Sequence, residues 1–329
     1  MFNTIKSQIV SFKIFFKVYL HTDFIAKRLI LETNSSIIKV SALSEFKSIT
    51  KAGLAFSVVF STLAGYLLAV EDWRQISLVT LLMLAVGGYC MVGASNAFNQ
   101  IIEKDLDSKM DRTKNRPVSS GRVSVNSAFV LAAALTVIGL VILYIVSPKT
   151  AMFGAISIFL YTSVYTPLKP LTPLAVFVGA FPGAIPFMLG WVAHTDEFGI
   201  EAGMLFLIQF FWQFPHFWAL GWFLYEDYKK GGFYLLPTRK KDKKTSLQVI
   251  LYCVWLTIAS LLPATGYTGR LYLSPIAAVL VLAAGLWMLY GGVQLYRKQT
   301  DKAAKTLMLI SVTYITLIQI IFILDKFLR

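Results

Sequence analysis

The sequence predicts an all-α integral membrane protein, a bundle of nine transmembrane helices with its N-terminus in the cytoplasm. Three observations carry this. The 329-residue chain is 57% hydrophobic and only 15% charged, with a mean hydropathy of +0.66, more apolar than a soluble core requires. Its apolar residues gather into nine runs, roughly 52–71, 76–100, 127–146, 150–166, 173–193, 203–225, 247–266, 273–294 and 306–324. Finally, 26 of the 31 Lys and Arg residues fall in the N-terminal segment and the loops after the second, fourth, sixth and eighth runs, against five on the other side. The positive-inside bias therefore sets the N-terminus inside and the C-terminus outside.

Residues 1–50 read as a cytoplasmic or interfacial extension, and residues 51–329 as the transmembrane domain. Lys6, Lys13, Lys17, Lys27 and Arg28 interrupt the apolar residues of the extension, so it lacks the uninterrupted apolar stretch of a signal peptide. Ile9, Phe12, Phe15, Phe16 and Tyr19 fall near helical spacing, which fits either an amphipathic helix on the bilayer surface or an unordered arm. The fourth run is short but still fits a tilted span. In the fifth, Gly179, Pro182, Gly183, Pro186 and Gly190 interrupt the pattern, which is tolerated where backbone is buried in protein or lines a cavity. The formal charge of +14 is then a topology signal with some attraction to anionic lipid. No nucleic-acid recognition module is visible. Cys90 and Cys253 sit inside apolar runs, without metal spacing or a disulfide framework.

The long loop after the second run opens with Asn99, Glu103, Asp107 and Asp111, four residues apart. On one helix they form a slowly drifting row that repels itself unless a cation sits on it. Hard oxygen donors of this kind suit Mg²⁺, which keeps waters and binds one or two carboxylates plus substrate phosphates. Arg112 and Arg116 supply planar forks for phosphate oxygens. The pattern points to an enzyme that handles a diphosphate at the cytoplasmic mouth of the bundle.

Two further groups stand out. Gln213 and His216, three apart in the sixth run, share a helix face among Trp212, Phe214, Phe217 and Trp218. They fit either a helix–helix hydrogen bond or a pocket for a flat or polyunsaturated ligand. Glu226 and Asp227 follow at the cytoplasmic end, as a solvated helix end or as a second acidic cluster facing the first. Lys169 is the one cation of the short loop after the fourth run. It fits a snorkelling lysine or a phosphate contact equally.

These residues resemble a known family. Asn99, Glu103 and Asp107 with Arg112-Thr113 and Arg116-Pro117 are similar to the first aspartate-rich motif of the UbiA superfamily of intramembrane prenyltransferases. Trp212-Gln213-Phe214-Pro215-His216-Phe217, then Asp227-Tyr228 and Gly231 or Gly232, resembles its narrower protoheme IX farnesyltransferase branch. So does Tyr165-Thr166-Pro167-Leu168-Lys169 with Thr172-Pro173-Leu174, Val178-Gly179-Ala180 and Pro182-Gly183-Ala184. The resemblance spans about residues 50–325. Three positions depart from the pattern: Pro170 and Ala175 replace an Arg and an Asn common there, and Glu103 replaces the usual Asp.

The resemblance implies a nine-helix bundle around a central cavity in a bacterial inner membrane. It implies farnesyl diphosphate as donor, Mg²⁺ as cofactor and haem b as acceptor, giving haem O, with haem A synthase or terminal-oxidase assembly factors as possible partners. Carried over, Asn99, Glu103, Asp107 and Asp227 are the expected catalytic residues, with Glu103, Asp107 and Asp227 as metal ligands. Arg112, Arg116, Lys169, Gln213 and His216 are the expected substrate contacts. A transporter with carboxylates along a solute path is the rival class. Carboxylates clustered beside arginines at one mouth favour the diphosphate site.

Overall fold

A computed structural model describes residues 41–329. The amphipathic pattern expected near Ile9–Tyr19 lies outside the described residues. The main body, Phe46–Arg329, is all-helical. After the short helix Ala42–Thr50 come nine long helical segments among the described residues: α1 (Ala52–Ala69), α2 (Leu78–Ile102), α3 (Val125–Val146), α4 (Pro148–Phe159), α5 (Ala175–Thr195), α6 (Ile200–Phe223), α7 (Lys243–Leu261), α8 (Pro275–Lys298) and α9 (Asp301–Leu328). Eight of them, all but α6, are long and apolar enough to cross a membrane, α4 together with its continuation to Leu168.

Helix starts follow capping chemistry more than hydropathy. Ser77, Ser124, Ser147, Asp242, Ser274 and Thr300 each accept a backbone N–H from the first turn of the helix that follows. This satisfies amides the helix cannot bond itself. α7 and α9 therefore begin four or five residues before the apolar run does.

Helices α1 to α5 pack in sequence around one half, with α5 returning against α1; α6 packs on α5, α7 and α9, and α9 closes back on α1. Helices α1, α2, α4, α5, α6 and α9 surround a central cavity, while α3, α7 and α8 contribute no lining residue. The α1–α5 contact is a backbone contact. A Cβ on Gly190 would lie 1.8 Å from the Thr62 carbonyl oxygen, and one on Gly65 2.0 Å from that of Phe187.

Helix α5 is continuous despite Pro182 and Pro186, so the glycines and prolines of the fifth run do not break it. Pro186 has no N–H to give the carbonyl four residues back. The Ser157 hydroxyl of α4 donates to that Pro182 oxygen at 3.2 Å.

Candidate functional site

The expected four-residue row does not run along one helix. Helix α2 stops at Ile102, Glu103 takes a non-helical conformation, and Lys104–Asp107 form a separate turn. Asn99, Glu103 and Asp107 remain buried and line the cavity. Asp111 is exposed and pairs with Lys114 and Lys230. Hydrogen bonds from these two lysines hold its carboxyl down to about 2.

The self-repulsion of the row is relieved by basic side chains. Lys169 donates to Glu103 Oε1 at 2.7 Å, and Arg116 donates to Asp107 Oδ2 at 2.7 Å. Burial alone would lower the Lys169 ammonium, but the Glu103 carboxylate holds it above its ordinary value. Burial pushes the Asp107 carboxyl up, against the opposing pull of Arg116. Asp107 Oδ1 is buried with no hydrogen-bond partner, an open acceptor facing a positive mouth.

Lys169 arrives there through an irregularity of α4. Leu160–Tyr165 form a π-helical turn before Thr166–Leu168, and such insertions cluster at functional sites. The Thr166 hydroxyl donates to the Tyr161 carbonyl at 2.8 Å and accepts from Asn99 Nδ2 at 3.4 Å. Tyr165 packs where a Cβ on Gly179 would stand 2.6 Å from its ring. Its face lies 4.4 Å from Lys169 Nζ, with Tyr161 and Phe233 each at 6.0 Å, so the ammonium sits in an aromatic collar.

Lys51 also lines the cavity, a residue that charge counting absorbed into the positive-inside signal. It precedes α1 in a left-handed conformation, φ 48°. The chain before it is tied to α2: Gln100 Nε2 donates to the Ser48 and Ile49 carbonyls, and Asn96 Nδ2 to that of Thr50, each at 3.2 Å. Burial, then the nearby Arg116 and Lys169 charges, pushes the Lys51 ammonium down to about 7.

Asp227, expected as a third metal-binding carboxylate, is directed elsewhere. Its Oδ1 accepts the Asp111 backbone N–H at 2.7 Å and its Oδ2 that of Arg112 at 3.3 Å. Among the described residues no three His, Cys, Asp or Glu side chains are grouped to hold a metal ion. Asp227 instead latches the loop that carries Arg112, whose guanidinium lies over the Tyr228 ring at 5.5 Å. Both following glycines serve this junction. A Cβ on Gly231 would meet Met110 Sδ at 2.7 Å, and Gly232 has φ +77°.

Deeper in the cavity, Gln213 and His216 face different neighbours. Gln213 Nε2 donates to the Ala180 carbonyl of α5 at 2.8 Å, with its side chain filling the space over Gly183. His216 Nδ1 lies 2.8 Å from Ser311 Oγ of α9, and its ring stacks on Trp212 at 4.7 Å. The cavity of about 390 Å³ thus runs from a charged mouth, past an aromatic collar, to an apolar interior with one imidazole in its wall.

Comparison with known proteins agrees with this architecture. The UbiA prenyltransferase family matches residues 58–314. Protoheme IX farnesyltransferases of Flavobacterium psychrophilum and Flavobacterium johnsoniae are 70% and 68% identical over 289 residues, 88% of this chain and 96% of each relative. That of Cytophaga hutchinsonii is 40% identical over 289 residues, 87% of this chain and 99% of the relative. Among solved structures, a digeranylgeranylglyceryl phosphate synthase superposes with a TM-score of 0.72 at 18% identity, covering 87% of this chain and 99% of that one. A UbiA homologue from Archaeoglobus fulgidus, bound to GPP and Mg²⁺, does so at 0.60 and 13%, covering 87% and 100%. The solved structures establish the fold and the sequence identities the lineage: the chain belongs to the UbiA prenyltransferase family, within the group formed by the protoheme IX farnesyltransferases.

Proposed function

We propose that this protein transfers the farnesyl group of farnesyl diphosphate to a vinyl group of haem b, with addition of water, to make haem O for terminal oxidases. The supporting observation is that one cavity joins Glu103, Asp107, Arg116, Lys169 and Lys51 at its mouth to Gln213 and His216 in its wall. An anionic head fits the mouth, and an apolar chain and a flat acceptor fit the interior. The names of the close relatives support haem as that acceptor.

The donors at the mouth fit a magnesium ion. They offer two carboxylates, one with an unpartnered buried oxygen, and leave the remaining positions to water and phosphate. Glu103 and Asp107 would hold the ion, which would supply charge neutralisation to the departing diphosphate. Arg116, Lys169, Lys51 and Arg112 bind and orient its phosphates, and Asn99 holds Thr166 and the π-helical turn that delivers Lys169. Tyr161, Tyr165 and Phe233 wall off the mouth, keeping water from the allylic carbon. The C1–O bond of the donor breaks and the terminal vinyl carbon of haem bonds to C1. Water then captures the cation on the adjacent carbon and loses a proton. His216 holds the acceptor, and Asp227 acts through the Arg112 loop.

The nine long helices and the uneven distribution of basic residues support nine crossings of a bacterial inner membrane, N-terminus and cavity mouth toward the cytoplasm. Haem A synthase or terminal-oxidase assembly factors are the partners such a product implies.

Mass-resolved chromatography of haems tests this. Purified protein receives haem b, farnesyl diphosphate and Mg²⁺, beside an EDTA control and Asp107→Asn. A later-eluting haem with the mass of a hydroxyethylfarnesyl adduct, missing from both controls, is the expected result. Farnesyl diphosphate loss without a haem adduct overturns haem as acceptor. No loss from a folded preparation overturns the prenyl-transfer reading.

A further inference from the structure

Ser311 is fully buried on α9 and touches the α6 aromatic group at two points. Its backbone oxygen accepts the Trp212 indole N–H at 2.6 Å, and its Oγ lies 2.8 Å from His216 Nδ1. A third contact sets the direction of the second: Ser311 Oγ donates to the Met308 carbonyl at 2.6 Å.

A serine hydroxyl has one proton and two lone pairs. The Met308 oxygen can only accept, so the hydroxyl proton is committed to it. Toward His216 the Oγ therefore presents a lone pair, and Nδ1 must carry the hydrogen. The neutral ring, the form that ligates metals, has a single N–H. With that N–H on Nδ1, Nε2 keeps its lone pair. His216 lines the cavity, and Nε2 has no hydrogen-bond partner among the described residues. Trp212, stacked within 17° of parallel, fixes the plane of the imidazole.

We propose that Ser311 is a positioning residue that holds His216 as the Nδ1–H tautomer and leaves its Nε2 free in the cavity to ligate the iron of the haem acceptor. This rests on haem being the acceptor. Imidazoles that bind metals ordinarily donate their other ring N–H to an oxygen, which fixes the tautomer and raises the basicity of the ligating nitrogen. A hydroxyl already donating to a carbonyl is a stronger acceptor than a free one. The Met308–Ser311–His216 chain thus supplies the partner that an iron ligand needs.

The test uses the full chain in detergent, with ferric haem b added stepwise and ligation read from the Soret and visible bands and from electron paramagnetic resonance. Wild type is compared with Ser311→Ala, Ser311→Thr and His216→Ala, and farnesyl diphosphate binding by the same preparations reports that they are folded. Because Ser311→Ala keeps the backbone oxygen that holds Trp212, it removes the hydroxyl alone. The expected result is an imidazole-ligated spectrum in wild type, lost in His216→Ala. In Ser311→Ala, haem affinity falls ~10-fold or more, with altered ligand-field signals, and Ser311→Thr restores both. A wild-type spectrum and affinity in folded Ser311→Ala, while His216→Ala loses them, overturns the role of Ser311. An unchanged spectrum in His216→Ala overturns the iron contact but leaves haem as the acceptor. A wild-type protein that binds farnesyl diphosphate but no haem overturns the acceptor itself.

Discussion

Lys169 and Glu103, 66 residues apart in the chain, meet at 2.7 Å with both side chains buried. The contact joins the end of α4 to the end of α2. Removing one partner of such a pair leaves an uncompensated buried charge, whereas removing both leaves none. Lys169→Met is expected to destabilise the protein by about 3–5 kcal/mol, and Lys169→Met with Glu103→Gln to recover most of that loss. Unfolding in mixed micelles measures both. A double variant no more stable than the single one would show that the pair is not what stabilises this junction.

The Asp227 carboxylate bridges two backbone amides of the Arg112 loop. Charged acceptors on amides contribute about 1.5–3 kcal/mol each when shielded and less at a half-exposed site. Asp227→Ala is expected to raise the KM for farnesyl diphosphate ~10-fold by loosening Arg112, with Asp227→Asn milder because one acceptor survives. A loss of kcat with KM unchanged contradicts this latch and points back to direct metal binding.

Lys51 gives donor binding a pH dependence with a definite sign. Its ammonium is held down to about 7 by burial and by neighbouring cations. A bound diphosphate supplies the missing counter-charge, so the proton is held more tightly in the complex. At pH values below 7 the lysine is charged in both states and contributes no slope. At higher pH, binding takes up a proton, and donor affinity falls by up to about tenfold per pH unit until the lysine of the complex itself deprotonates. Lys51→Met should flatten this slope. Calorimetry between about pH 6 and pH 9, in buffers of differing ionisation enthalpy, counts the protons taken up. Equal uptake by wild type and variant removes Lys51 from the account.

Two glycines of the α1–α5 pair differ sharply in their surroundings. A Cβ on Gly190 meets the Thr62 carbonyl oxygen at 1.8 Å and the Tyr66 nitrogen at 2.5 Å, whereas one on Gly53 has nothing within 4 Å. Gly190→Ala must push backbone from backbone and is expected to cost about 3 kcal/mol. Gly53→Ala, in open space near the start of α1, is expected to be neutral or to stabilise by a few tenths of a kcal/mol, up to about 1. Thermal unfolding of the two variants side by side checks the contrast.

The long helices were readable because apolar residues gather where a helix is buried or meets lipid, and each of the nine runs overlaps one of the nine long helical segments, α4 with its continuation to Leu168. The ends were less readable, since Ser77, Asp242 or Thr300 begin a helix through one side-chain acceptor that no apolar average registers. Asn99, Glu103, Asp107, Arg116 and Lys169 could be singled out from charge placed beside apolar runs, and the structure gathers them at one mouth. The destination of Asp227 could not be read, because its partners are backbone amides more than a hundred residues away. Nor could Ser311: one hydroxyl in an apolar helix looks the same whether it bonds its own turn or a ring on another helix. The π-helical turn escaped as well, since one residue of extra winding does not alter the composition of Leu160–Tyr165.

Helix α6 alone among the nine fails to be apolar enough to cross a membrane by composition, yet it stands between α5, α7 and α9. Gln209, Gln213 and His216 are the reason. Facing lipid they would stand bare of partners; packed against α5 and α9, Gln213 finds the Ala180 carbonyl and His216 the Ser311 hydroxyl, while Gln209 turns a buried, unpartnered Oε1 inward. The helix that carries the imidazole is therefore a poor candidate for independent insertion during synthesis. A place for it in a bilayer would depend on neighbours able to receive it, one of which, α9, is the last of the nine in chain order. The cavity wall is then complete only when α9 has joined it, and a chain truncated before α9 leaves His216 of α6 without its Ser311 partner.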